Sequence, residues 1–340
     1  EYVGAKYGIA CMNGTVGLHI AQILCGVVSN DYVIVPNITF IATLNAIKYT
    51  GADPILIDVN QTNWQMDLSI LENFLESKTE IKNSQCILKE NGRIIRAIMP
   101  VHVLGNIGNL EKLIKLSKKH HLKIIEDSTE SLGSFYKKQH SGTFGDFGVF
   151  SFNGNKIIST GGGGVIVTNN EELAKKAKHI TTQAKVSPTE YIHDEIGYNY
   201  RLVNVLAAIG VAQMEKFPDL LKKKRIMDNY YRKELSNVGD IEFQEVNSNV
   251  NANCWLFTFK TKKMRPLLDY LNNNGVMSRP FWMPMNQLEM FKNDLYVTEN
   301  DNSSSIYETC ISIPSSAGIN EQEMREVVSK IKEFYININN

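Results

Sequence analysis

A lysine stands between an apolar run and four consecutive glycines in the stretch SFNGNKIISTGGGG, which spans residues 151–164 and contains Ser151 and Lys156. A lysine amine can bond a carbonyl carbon once its own charge is lost. The bland alternative is a solvated hairpin lysine, since an ammonium is costly to bury without a partner. Other residues raise similar choices. Gly14 and Thr15 follow a short apolar run and open a helical pattern of Val16, Ile20, Ile23 and Leu24. A helix start offers free N–H groups and partial positive charge to a phosphate, or Thr15 is a plain N-cap. Glu126 and Asp127 end the apolar run LKII. A carboxylate there can cap a helix, bind a metal or pair with a cationic ring nitrogen, and ligands gather at such strand ends. Phe40 after the run YVIVP, and His102 at the end of IMPVHV, are either core residues or site residues.

Taken together, these residues meet the needs of one cofactor, pyridoxal 5′-phosphate (PLP). Its aldehyde needs the amine of a lysine such as Lys156, and its phosphate needs amide and hydroxyl donors such as Gly14, Thr15 and Ser151. Its pyridine nitrogen needs a carboxylate such as Asp127, because a nearby negative charge keeps that nitrogen protonated. Its ring needs a flat apolar face such as Phe40.

Positioning these residues requires strands that end at one place. Candidate strands lie at 32–36, 54–59, 94–103, 122–127, 147–152 and 164–168. Most are continuous apolar runs, the pattern of strands covered on both faces. Helical periodicity lies between them, as in Leu110, Leu113, Ile114 and Leu116. The fold class is therefore α/β, a mainly parallel sheet flanked by helices, with one antiparallel strand expected beside Lys156. Residues 201–216 have a broad apolar face, and the chain then becomes more charged. We divide it into a large domain, 1–217, and a smaller C-terminal α+β domain, 218–340. The last helix aligns Met324, Val327, Val328, Ile331 and Phe334. The polar runs at 272–274 and 299–305 are expected to be loops, and His120 and His121 to be solvated.

The 340 residues carry 36 basic and 36 acidic side chains, a balance without the footprint of a nucleic-acid or membrane binder. No apolar run is long enough to span a bilayer. Five scattered cysteines form no CxxC pair, which suits reduced thiols in a cytoplasm, and the seven histidines show no metal spacing. The first candidate loop comes within 14 residues of Glu1, so a preceding segment is expected.

The stretches NGTVGLHIA, VPNITFIATLNAI, MPVHVLGN, IIEDSTESLGSFYKKQHSGTFGDFGVFSFNGNKIISTGGGG and IGYNYRLVNVLAAIGVAQMEK resemble the DegT/DnrJ/EryC1/StrS family of nucleotide-sugar aminotransferases. The resemblance implies PLP-dependent aminotransferase fold type I. It implies that Lys156 bonds the cofactor aldehyde and shuttles protons, that Asp127 pairs with the pyridine nitrogen, and that Phe40 stacks on the ring. Gly14, Thr15 and Ser151 hold the phosphate. Glu130 stands near the ring where the family often has glutamine. Asn199 reaches the cofactor phosphate of a neighbouring subunit, which implies a homodimer with shared active sites. His102 and Arg279 are candidate substrate contacts. TESLGSFY, SFNGNK, TTQAK and SRPFWMP resemble the branch that uses L-glutamate to aminate C4 of UDP-linked 2-acetamido-4-keto sugars. GDP-4-keto-6-deoxymannose is an alternative substrate, and a noncatalytic regulator on the same scaffold is an alternative function. A dehydratase is disfavoured, because the lysine is present and no cysteine cluster exists to bind iron and sulfur.

Overall fold

Continuous apolar runs suit strands covered on both faces, and here they form such strands. The computed structural model describes residues 1–339. Its main sheet has the order Tyr7–Cys11, Gly164–Thr168, Phe147–Ser151, Lys123–Asp127, Ile94–Ile98, Tyr32–Pro36, Asp53–Ile57 and Leu295–Val297. The strands from Phe147–Ser151 to Leu295–Val297 pair in parallel. Gly164–Thr168 runs antiparallel to both of its neighbours, as the close-set pair beside Lys156 led us to expect. All five residues of Tyr32–Pro36 and of Phe147–Ser151 are buried. Helix Leu110–Lys119 buries Leu110, Leu113 and Leu116 against that sheet. The run at 94–103 gives a shorter strand than expected. It stops at Ile98, ahead of Pro100, and residues Val103–Gly105 form a 3-10 turn with Leu104 at φ 61°.

The C-terminal part builds an antiparallel sheet from Glu242–Phe243, Phe257–Lys260, Cys310–Ile313 and Arg279–Pro280. Its core joins Met227, Tyr231, Phe257, Phe259, Leu267, Ile311 and the Val327, Val328 and Ile331 stripe of the last helix. Two features tie it to the main sheet. Helix Asn204–Leu235 runs unbroken through Pro218, across the expected 217/218 division. Strand Leu295–Val297 crosses back to pair with Asp53–Ile57. The fully buried Asp58 secures that return, accepting from Thr298 Oγ1 at 2.7 Å, the Asn302 amide at 2.8 Å and Ser303 Oγ at 2.6 Å.

Three polar stretches differ from expectation. Helix Asn302–Thr309 takes in half of the run 299–305, because Asp58 supplies acceptors at its start. Asn272 and Asn273 close helix Met264–Asn273. His120 is buried at the end of Leu110–Lys119 with both ring nitrogens unpartnered, and only His121 is exposed. All five cysteines are free thiols. Among the described residues, no helix is long and apolar enough to cross a membrane.

Candidate active site

The two carboxylates that end strand Lys123–Asp127 face different tasks. Glu126 accepts from the amides of Gly142, Phe144 and Gly145 at 2.8, 2.6 and 2.9 Å, and so holds that loop. Asp127 is also buried, but its contacts are fewer. Oδ1 accepts from Thr129 Oγ1 at 2.7 Å and from the Thr129 amide at 3.2 Å. Oδ2 accepts from Thr43 Oγ1 at 2.7 Å, which leaves that oxygen room for a further donor. A buried carboxyl group held by three hydrogen bonds, with acceptor capacity to spare, suits a protonated ring nitrogen.

Lys156 lies on the loop that joins Phe147–Ser151 to Gly164–Thr168. The turn is closed by its own amide, which donates to the Asn153 carbonyl at 3.0 Å. Desolvation pushes the Lys156 ammonium below its ordinary range, while the charges of Glu130 and Asp127 pull it back up. The Nζ atom sits 3.9 Å from the centre of the Trp255 ring. Glu130 is buried and accepts from the Leu104 amide at 2.8 Å. Burial pushes its carboxyl up to about 7, against the opposing pull of Lys156.

A third group of residues forms a cradle. Asn13 caps helix Gly14–Leu24, its side chain accepting from the Val16 amide at 3.0 Å, so the cap is not Thr15. The amides of Gly14 and Thr15 then head the helix, where no intrahelical acceptor exists for them. A Cβ on Gly14 would lie 2.8 Å from Thr129 Cγ2 and 3.1 Å from Ser151 Cβ. Ser151 and Thr129 therefore converge on the helix start. The glycine run serves the same place. A Cβ on Gly164 would come within 2.6 Å of the Asn13 carbonyl carbon, and Gly161 adopts φ +81°. The run lets one strand pass against the backbone that opens the helix.

Beyond these, the expected residues scatter. Phe40 is 55 % exposed, with its ring edge toward Trp282 at 6.5 Å. Trp282 in turn lies 6.3 Å from Trp255, so Phe40 connects to the lysine through a row of rings. His102 is 1 % exposed and spends Nε2 on Glu126 at 2.9 Å, so the geometry does not present it to a substrate. Arg279 is exposed on the C-terminal sheet, with its Nη2 nearest Met277. Asn199 is exposed and bridges Thr182 through its backbone. Three site residues escaped the sequence. Thr129 stood beside Asp127, where a side-chain acceptor two residues back is a known turn signal. Thr43 and Trp255 lie 84 and 99 residues from their partners, and nothing local marks them. The fold also gathers His179, Asp194 and Glu195 within 4.8 Å of one another, but Lys176 already pairs with Glu195.

The cradle, the buried Asp127 and the amine beside it fit a phosphorylated pyridine aldehyde. The profile of the DegT/DnrJ/EryC1/StrS aminotransferases matches residues 1–332. The chain belongs to that family. Its cofactor is PLP, and it is an aminotransferase of nucleotide-sugar biosynthesis. A GDP-perosamine synthase of Escherichia coli O157:H7 is 34% identical, over 97% of this chain and 86% of the relative. A UDP-4-amino-4,6-dideoxy-N-acetyl-beta-L-altrosamine transaminase of Campylobacter jejuni is 28% identical, over 98% and 89%. The crystal structure of a family aminotransferase from Brucella abortus superposes with a TM-score of 0.90 at 24% identity, over 98% of this chain and 87% of that one. That likeness extends the fold to the whole aminotransferase.

Proposed function

We propose that this aminotransferase moves an amino group from L-glutamate to C4 of a nucleotide-linked 4-keto-6-deoxy sugar. The observation that carries the reading is Lys156, held on a closed turn within the influence of two buried carboxylates and beside an aromatic wall. PLP, when bound, supplies an electron sink and an amino carrier. The chain supplies the rest. Gly14, Thr15 and Ser151 hold the phosphate, and Asp127, braced by Thr43 and Thr129, keeps the ring nitrogen charged. Lys156 Nζ takes the α-proton of the donor and later returns a proton to C4 of the sugar. Desolvation favours the neutral amine that this proton transfer needs.

Two nucleotides compete as the sugar's carrier. The sequence motifs favour a UDP-linked 2-acetamido-4-keto sugar. The identity to a GDP-perosamine synthase, above that to the UDP-sugar enzyme, supports GDP-4-keto-6-deoxymannose. We also propose a homodimer in which Asn199 reaches the partner's cofactor phosphate, a reading supported by the exposed apolar residues Ile196, Val203 and Val205 beside it.

The test is spectroscopic. The visible absorption of the PLP-loaded protein is expected to bleach with L-glutamate and to return when the accepted keto-sugar is added. Lys156→Ala should abolish turnover, by a factor of about 10³ or more, with an unchanged melting profile. A protein that neither bleaches nor aminates either sugar would be the noncatalytic binder instead.

A further inference from the structure

We infer that Trp255 is a positioning residue, the surface on which the Lys156 side chain rests whenever it is not bonded to the cofactor. The inference rests on the role given to Lys156 above. In each catalytic cycle that lysine is released and must return, and a free lysine side chain has many rotamers to explore.

One indole makes two contacts to one turn. Its Nε1–H donates to the Asn155 carbonyl at 2.8 Å, while its face lies 3.9 Å from Lys156 Nζ. The first contact fixes the backbone from which the lysine springs, and the second holds the end of its side chain. Trp255 is 4 % exposed, so little water competes for its face, and cation–π attraction strengthens as water is removed. The ring is itself anchored. The Trp255 amide donates to Asn253 Oδ1 at 3.0 Å, and Asn253 Nδ2 donates to the carbonyls of Glu130 and Leu132 at 2.7 and 2.9 Å. The loop that carries Glu130 thus also places Trp255. The charged groups acting on the ammonium are Glu130 and Asp127, both on the main-sheet side. Trp255 approaches from the C-terminal segment, giving the free ammonium a neutral resting place outside the carboxylates.

An aromatic face favours the charged lysine, so removing it must lower the lysine's pKa. Cofactor-free protein labelled with limiting acetic anhydride across a pH series, and read by mass spectrometry, reports the apparent pKa of Lys156 directly. Trp255→Leu is expected to lower it by about 0.5–1 unit, roughly a three- to tenfold gain in neutral amine at a fixed pH below it. Trp255→Phe keeps a ring face and loses the indole N–H, so it should restore most of the shift. Should Trp255→Leu fail to fold, biosynthetic incorporation of increasingly fluorinated tryptophans withdraws charge from the ring at nearly constant shape. The apparent pKa should then fall stepwise. Equal shifts in Leu and Phe variants, or a flat response to fluorination, would overturn the proposal. Since the labelling uses neither substrate nor turnover, its failure leaves the aminotransferase reading untouched. Loss of that reading would show instead as turnover by Lys156→Ala.

Discussion

At the scale of single residues, the chemistry of this site is a contest over charge. Asp127 accepts from the hydroxyls of Thr43 and Thr129, while Glu130, close in sequence and also buried, accepts only from the Leu104 amide. Burial pushes its carboxyl up to about 7 from the ordinary 4.5, with the Asp127 charge adding to the rise and Lys156 opposing it. The sign follows by linkage. The folded protein holds this proton through a pH range in which the unfolded chain has lost it, so rising pH removes stability between about 4.5 and 7. In cofactor-free protein, Glu130→Gln is expected to flatten that loss, so that the variant gains stability relative to the parent as pH rises from 5 to 8. Melting curves at the two pH values check it, and a pH-independent difference would contradict the shift. Lys156 and Asp127 were legible in the sequence because each stood beside a recognisable strand end. Thr43 and Trp255 were not, because only the fold brings them to their partners. The contact of His102 with Glu126, 24 residues away, was not legible for the same reason.

At the scale of elements, parallel strands were the easiest to read, since burial on both faces leaves an uninterrupted apolar run. Their ends were harder. Ile98 ends its strand before Pro100, and polar residues at 302–305 became helical because a distant Asp58 supplied the cap. The last residue of the four-glycine run passes against the chain's own backbone at Asn13. Gly164→Ala should therefore cost about 1–3 kcal/mol of stability by overpacking. Because the added methyl displaces the helix start, PLP affinity should fall with it, by roughly tenfold for a loss of 1.4 kcal/mol. Thermal melts and a PLP titration test both halves. Gly154→Ala, where a Cβ meets nothing within 4 Å, is the control that should change neither.

At the scale of the whole molecule, helix Asn204–Leu235 begins with Val205 and Ile209 exposed on one face, one turn apart. The homodimer proposed above would cover that face. Val205→Glu with Ile209→Glu, one turn apart, should reduce the mass measured by light scattering from a dimer to the 38.4 kDa chain. An unchanged mass would place the subunit contact elsewhere. The return of Leu295–Val297 to the main sheet carries a different consequence, one of timing. During synthesis, the edge of Asp53–Ile57 leaves the ribosome some 240 residues before the strand that will cover it. Until then Asp58 is a carboxylate without its distant donors, and the sheet ends in an open apolar edge, the kind of surface that recruits wrong partners. The nascent large domain must therefore wait for nearly the entire chain before its sheet is closed, and a break anywhere before residue 295 leaves it unfinished.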